Sequence, residues 1–248
     1  EIECRLAEIE SEFTRKLNLI IGVVSWTVCI ETDQINISLI EKLTSRLNLQ
    51  RLDVFVLGIQ EAVKTGGLNF FKSDIKDVMA KYENELSHFF LVKGYSLRKF
   101  TSYKCGEIIT VVFARDSYLH SLGKDSFDKV KFNAGLKGAF QKKHSALVQR
   151  FNIFDTTITL INASLCSGKE DGEGRTQQIT QIFETAFQGD KFGQVRTDTI
   201  KKSSDAILLF GSLNFRLNAA DIHIRNTCDG LDEKEDDNWT ADQLRRIN

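Results

Sequence analysis

Three polar residues follow a short apolar run late in the sequence. The run from Ala206 to Phe210 predicts a buried strand, and Gly211 ends it. Ser212, Asn214 and Arg216 come next at alternate positions, so we expect their side chains on one face. Hydroxyl, amide and guanidinium groups clustered at a strand end are typical of the polar site of an α/β protein. An equally acceptable interpretation is a turn in which Asn214 and Arg216 only satisfy backbone groups.

Two other predicted strands also end in polar residues. The apolar stretch Leu52 to Gly58 runs into Gln60 and Glu61, and the strand 157–162 is followed by Ser164. Mg²⁺ prefers carboxylate oxygen and is commonly held by one carboxylate together with water and phosphate. Glu61 is therefore a candidate metal ligand, and a solvated glutamate at a strand end is the alternative.

Alternating strands and amphipathic helices surround these polar strand ends. A packed, layered α/β domain is the architecture that such an order favours. Strands are predicted at 17–24, 52–58, 89–92, 97–103, 107–114, 144–154, 157–162 and 206–210, and helices at 38–49, 70–86, 175–187, 217–226 and 239–247. Residues 1–16 are predicted to form a short helix or linker before a single domain at 17–248.

Composition excludes several classes of protein. The 248 residues carry a formal charge of −1, so no overall positive field draws the chain to nucleic acid. Five scattered cysteines without a Cys-x-x-Cys pair argue against a disulfide scaffold and a zinc site, and they favour a reducing compartment such as the cytoplasm. No apolar run is long enough for a transmembrane helix. The chain contains no proline, for which we have no physical account.

The segment from Gly211 to Leu217 resembles the Gly-Asp-Leu-Asn-Tyr-Arg-Ile signature of the inositol polyphosphate 5-phosphatases. These enzymes are a branch of the exonuclease–endonuclease–phosphatase superfamily. Four further patches resemble the family in the same order, from 17 to 244: Trp26 with Val28, Gln60-Glu61, Lys137-Gly138-Ala139, and Asn162 with Arg175. The resemblance implies a four-layer α/β sandwich of two packed mixed β-sheets flanked by helices. The family's final strands lie beyond these residues, so a chain ending at Asn248 would expose a sheet edge that further residues or a partner should cover.

The resemblance also implies roles for individual residues, and three of them depart from the family pattern. Ser212 stands where the family has its catalytic Asp, Ser164 where it has a His that contacts phosphate, and Thr27 where it has an Asn beside the metal. The pattern is kept at other positions: Glu61 as the magnesium ligand, Asn214 in the catalytic group, and Arg216, Lys137, Asn162 and Arg175 on the substrate side.

Hydrolysis of a phosphate ester needs an activated water and a metal or cation near the phosphate oxygens. Serine cannot replace a carboxylate in that role, because it is uncharged near neutral pH and binds Mg²⁺ poorly. We therefore predict a catalytically inactive binding or assembly module, with a protein partner, an inositol phosphate or phosphoinositide ligand, and peripheral membrane contact among its expected interactions. The alternatives are an active Mg²⁺-dependent 5-phosphatase and, on weaker grounds, a nuclease-branch relative.

Overall fold

Two four-stranded mixed β-sheets form the centre of the computed structural model, which describes residues 18–28, 36–62, 75–123, 125–132, 144–167, 172–188, 200–201 and 203–215. The first sheet has the order β1-β2-β4-β3 and the second the order β5-β6-β7-β8. Their strands are β1 (Ile21–Thr27), β2 (Val54–Gln60), β3 (Leu97–Cys105), β4 (Ile108–Arg115), β5 (Ser126–Lys131), β6 (Ser145–Ile153), β7 (Thr156–Ser164) and β8 (Ala206–Ser212). The helices are α1 (Ile37–Thr44), α2 (Ile75–Val92) and α3 (Gly172–Thr185), with 3₁₀ turns at Leu49–Arg51 and Asp116–Ser121.

The sheets pack face to face, and helices cover their outer faces. Side chains of both sheets meet in the central layer, among them Val54, Val56, Val112, Phe151, Ile158, Leu160 and Phe210. Residues of α1 and α2 pack on the outer face of the first sheet, and residues of α3 pack on that of the second. This arrangement confirms the predicted four-layer sandwich.

Two parallel strand pairs place four strand ends at one end of the sandwich. β1 pairs in parallel with β2, and β7 pairs in parallel with β8. Each pair therefore ends together, with Thr27 beside Gln60 and Ser164 beside Ser212. Both faces of β2 are buried, which explains its continuous apolar sequence. The topology thus gathers the polar residues that follow the apolar runs.

The strand predicted at 89–92 is wrong, because these residues form the last turn of α2. Phe89 and Phe90 are both buried, whereas Leu91 and Val92 are 72% and 60% exposed. Consecutive side chains of a strand point to opposite faces, whereas the buried side chains of a helix recur about every 3.6 residues. Gly94, expected to mark a turn between two strands, instead follows the helix end at φ 72°, and the amide of Tyr95 donates to the carbonyl of Phe90 at 2.8 Å.

Other differences from the prediction concern boundaries and one edge strand. Edge strand β5 was not predicted, since its sequence SFDKVK is half charged and only Val130 is buried. The turn between β6 and β7 is Phe154-Asp155, one residue earlier than expected. Residues 1–16 and the helices predicted at 217–226 and 239–247 lie outside the described residues. None of the three described helices is long and apolar enough to cross a membrane.

Candidate functional site

Two hydroxyl groups join the two sheets where the strand ends meet. Thr27 Oγ1, at the end of β1, lies 2.5 Å from Ser212 Oγ at the end of β8. Thr27 Oγ1 also donates to Gln60 Oε1 at 3.1 Å, and Ser25 Oγ lies 3.5 Å from the same oxygen. Two of the three predicted degenerate positions, Thr27 and Ser212, therefore lie together and contact each other directly.

A fully buried pair of amides continues these contacts into the sandwich. Gln60 and Asn162 have no exposed surface, and Gln60 Nε2 donates to Asn162 Oδ1 at 2.7 Å. Asn162 Nδ2 in turn donates to the carbonyl of Ile109 at 2.9 Å and to Thr110 Oγ1 at 3.1 Å. Asn162, from the second sheet, therefore fixes the position of the Gln60 side chain. Its predicted contact with substrate stays a prediction.

The donors and acceptors of this network have a defined direction. A threonine hydroxyl has one proton, and Thr27 gives it to Gln60 Oε1. Ser212 must then be the donor in the short contact between the two hydroxyls. The hydrogen bonds run from Ser212 through Thr27 to Gln60, and from Gln60 through Asn162 to Thr110. Every member is uncharged, and the direction requires a donor at position 212.

In the polar turn after β8, the side chain of Asn214 forms hydrogen bonds to nearby backbone groups. Asn214 adopts φ 56°, and its Nδ2 donates to the carbonyl of Leu165 at 2.6 Å and lies 3.3 Å from that of Ser212. Gly211 has φ 122°, and a Cβ there would lie 2.1 Å from the backbone oxygen of Ala163. Asn214 therefore satisfies turn backbone groups, as the second interpretation of the sequence predicts, and its catalytic role stays a prediction.

Ser164 lies beside Ser212 in the sheet and continues the row of hydroxyls. The register pairs Ser164 with Ser212 on one side and with Ser145 on the other. Residues paired in register have side chains on the same face, about 5 Å apart. Ser145 is buried, whereas Ser164 and Ser212 are half-buried. The three serines present hydroxyl groups, which are weak ligands for a hard divalent cation.

Glu61 follows Gln60 directly and holds the one carboxylate predicted to bind metal. It adopts φ 56°, a conformation that glutamate rarely takes, and it is half-buried. Among the described residues, no three His, Cys, Asp or Glu side chains come together closely enough to hold a metal ion. The neighbouring strand ends offer the hydroxyls of Thr27 and Ser212, and these already bind each other. The donors that the described residues bring to these strand ends do not fit Mg²⁺, which prefers carboxylate oxygen.

Arg175 lies in the first turn of α3 and is 3% exposed. Its Nη1 donates to the carbonyl of Cys166 at 3.3 Å, and its guanidinium lies 5.5 Å from the centre of the Phe215 ring. It therefore links α3 to the segments that follow β7 and β8. Lys137 and Arg216, the other predicted phosphate-side cations, lie outside the described residues.

Sequence reasoning missed the residues that connect the site to the core. It treated Gln60 only as part of a motif and did not single out Ser25 or Thr110, although all three belong to the network. A buried polar residue at the end of an apolar strand is the available signal, because such a residue must find a partner. The partner itself lies 102 residues away in the case of Gln60 and Asn162, and no local pattern identifies it.

Fold and site together define a phosphatase-like α/β sandwich with polar, uncharged strand ends. The model of endonuclease/exonuclease/phosphatase family 2 matches residues 24–248, and the chain belongs to this family. No curated protein sequence matches the chain.

Solved structures of the same fold include a 5-phosphatase. The inositol polyphosphate 5-phosphatase domain of SPsynaptojanin, in complex with inositol (1,4)-bisphosphate and calcium, has a TM-score of 0.70 at 20% identity, over 92% of this chain and 62% of that one. The present chain thus spans less than two thirds of that domain. Cimex nitrophorin in its ferrous NO complex has a TM-score of 0.53 at 15% identity, over 86% of this chain and 65% of that one. At these identities the likeness shows the fold alone.

Proposed function

We propose that this chain is a non-catalytic, 5-phosphatase-like domain that serves as a binding or assembly module. The observation that carries the proposal is the directed, uncharged network through Ser212, Thr27 and Gln60. In this network the two hydroxyls satisfy each other. Among the described residues no carboxylate or imidazole takes part in this network, so none of its members can accept the proton of an attacking water.

The fold does not decide between catalysis and binding. The same architecture occurs in a 5-phosphatase domain bound to inositol (1,4)-bisphosphate and in a nitrophorin bound to NO. Function must therefore be argued from the site. The ligand class we propose is an inositol phosphate or phosphoinositide headgroup, held by the predicted phosphate-side cations Lys137, Arg175 and Arg216, with protein partners and peripheral membrane contact in the cytoplasm.

A second candidate function is Mg²⁺-dependent 5-phosphatase activity, and one observation favours it. Glu61 keeps a strained backbone conformation at the end of β2, and such strain persists mainly where a structure selects a side-chain position. An active enzyme would use this carboxylate as its metal ligand. The attacking water of such an enzyme would need a general base, and none of the described residues supplies one to the network of Ser212, Thr27 and Gln60.

Phosphate release from a short-chain phosphoinositide distinguishes the two functions. Wild type should release no more phosphate with Mg²⁺ than the Glu61→Ala variant does. Glu85→Ala, on α2, is the control for loss of a glutamate elsewhere. Release that requires Mg²⁺, disappears in Glu61→Ala and persists in Glu85→Ala would establish the enzyme instead.

Binding is tested separately by titrating inositol (1,4)-bisphosphate in the absence of Mg²⁺. The proposal expects saturable heat that weakens in Arg216→Ala, since charge-assisted hydrogen bonds to phosphate dominate such sites. Identical titration curves for wild type and this variant would refute the headgroup as the ligand, and a protein partner would be the remaining candidate.

A further inference from the structure

Ser164 and Ser212 form a pair of hydroxyl groups at the strand-end site. The register of the parallel strands β7 and β8 sets them side by side, about 5 Å apart on one face of the sheet. Both side chains are half-buried, so part of each remains accessible. An oxygen atom placed between two hydroxyls at this spacing lies within hydrogen-bond distance of both. The pair can therefore bind one oxygen of a ligand.

The hydrogen bonds behind this pair are fixed by a backbone carbonyl. A carbonyl only accepts, so the group that Asn162 turns to the oxygen of Ile109, at 2.9 Å, must be its Nδ2. Asn162 Oδ1 then faces Gln60 and accepts from Gln60 Nε2 at 2.7 Å. Gln60 turns its Oε1 to Thr27 and accepts the Thr27 proton. Thr27 can therefore only accept from Ser212, so the single proton of Ser212 is used inside the protein.

The two hydroxyls consequently differ in what they offer a ligand. Ser212 has no proton left and offers only a lone pair. Within the described part of the chain the Ser164 hydroxyl forms no hydrogen bond, so it offers a donor. A ligand hydroxyl has one proton and two lone pairs, and it can donate to Ser212 and accept from Ser164 at the same time. A hydroxyl group therefore satisfies both serines.

A phosphate group fits the same pair poorly. Its oxygens carry negative charge at neutral pH and act as acceptors, so one of them would face the Ser212 lone pair with no proton between them. If Ser212 turned its proton to the phosphate instead, its oxygen would stay 2.5 Å from Thr27 Oγ1 with no hydrogen between the two. Neither serine carries a charge that offsets the phosphate. An unsatisfied contact of this kind lowers affinity by about tenfold or more.

We propose that the strand-end site holds a ring hydroxyl of the inositol headgroup, at the position where the resembling enzymes hold the phosphate that they remove. The ligand is then an inositol phosphate or phosphoinositide whose 5-position carries a free hydroxyl. Its other phosphates bind the cations proposed above. This inference rests on the proposed function and deepens it, because it states which form of the headgroup is recognised.

Calorimetric titration of the full chain at pH 7.4 without Mg²⁺ compares inositol (1,4)-bisphosphate with inositol (1,4,5)-trisphosphate. The two ligands differ only by the phosphate at the 5-position. We expect the bisphosphate to bind about tenfold more tightly, although the trisphosphate carries more charge. Equal or tighter binding of the trisphosphate would overturn this inference and leave the proposed headgroup binding intact. No saturable heat with either ligand would refute the headgroup as the ligand, and this inference with it.

Two variants at position 164 test the contact itself. Ser164→Ala removes the donor and should weaken binding of the bisphosphate roughly fivefold, whereas the control Ser87→Ala removes an exposed hydroxyl of α2 and should leave it unchanged. Ser164→His supplies a partly protonated donor at pH 6 and should shift the preference toward the trisphosphate. An unchanged preference in folded Ser164→His, or equal affinities of wild type and Ser164→Ala, would contradict the contact.

A short-chain phosphatidylinositol 4-phosphate distinguishes the two sources of this headgroup. Its ring carries phosphates at the same two positions as the bisphosphate and a free 5-hydroxyl. Tighter binding of the lipid assigns the headgroup to a membrane lipid, and equal affinity assigns it to a free inositol phosphate.

Discussion

Thr27 and Ser212 contact each other directly, so replacing only one of them with the Asn or Asp that the resemblance implies should be costly. With Ser212→Asp, position 212 becomes an acceptor at neutral pH. Thr27 has one proton and already gives it to Gln60 Oε1. Either the new carboxylate then lacks a donor, or the buried Gln60 oxygen keeps only the long hydrogen bond from Ser25 Oγ at 3.5 Å. An unsatisfied polar group of this kind costs about 1–3 kcal/mol of the free energy of unfolding.

Asparagine at position 27 removes the conflict, because its amide has two N–H donors. One can serve Gln60 Oε1 and the other a carboxylate at position 212. The combination Thr27→Asn with Ser212→Asp, which is the family pattern, should therefore be more stable than the sum of the two single changes predicts. We expect a coupling energy of about 1–2 kcal/mol in favour of the pair.

Urea unfolding of wild type, both single variants and the double variant at pH 7 gives this coupling energy. Ser212→Ala is the control, since it removes the donor without adding charge and should be less destabilising than Ser212→Asp. Additive effects, within about 0.5 kcal/mol, would refute the direction assigned to the hydrogen bonds.

Three further predictions concern stability. Gly211→Ala should lower the free energy of unfolding, measured in urea, by about 3 kcal/mol, because φ is 122° and the new Cβ would meet the Ala163 oxygen. The control Gly94→Ala has positive φ but open space around the new Cβ, and it should cost only about 1 kcal/mol. Equal losses in the two variants would contradict the predicted clash. Gln149→Met should stabilise by about 1–2 kcal/mol in the same assay, because both amide atoms of this fully buried residue lack a partner among the described residues; a loss of stability would show that the amide is satisfied. Burial raises the pKa of Tyr82, and burial with the hydrogen bond to Asp125 raises the pKa of Tyr103. The contribution of these two tyrosines to stability is therefore complete below the unfolded pKa of about 10, and it disappears as the pH rises through their folded pKa values. Phenolate absorbance measures this titration, and ionisation of all four tyrosines together near pH 10 would contradict the prediction.

The apolar patterns predicted most of the fold. The runs before Gln60, Ser164 and Ser212 became strands, because short continuous apolar runs with β-branched residues reflect burial directly. The run at 89–92 was misassigned, since four apolar residues do not distinguish a strand from the end of a helix until the spacing from Val78 and Tyr82 is included.

The chemistry of the site was predictable only in part. The resemblance predicted from the residue types at Thr27 and Ser212 that catalytic groups are exchanged. These two residues meet because the ends of β1 and β8 pack against each other across the two sheets. The sequence could not show that the two hydroxyls bind each other, nor that Gln60 and Asn162 join the sheets beneath them. These contacts depend on the packing of two sheets, which no local pattern encodes.

Calorimetric titration of the wild-type chain with Mg²⁺ tests the central claim most directly. The network of Ser212, Thr27 and Gln60 is complete without a metal, so we expect no saturable heat and no difference between wild type and Glu61→Ala. Saturable binding that disappears in Glu61→Ala and persists in Glu85→Ala would show that the site still holds the metal, and it would contradict the account.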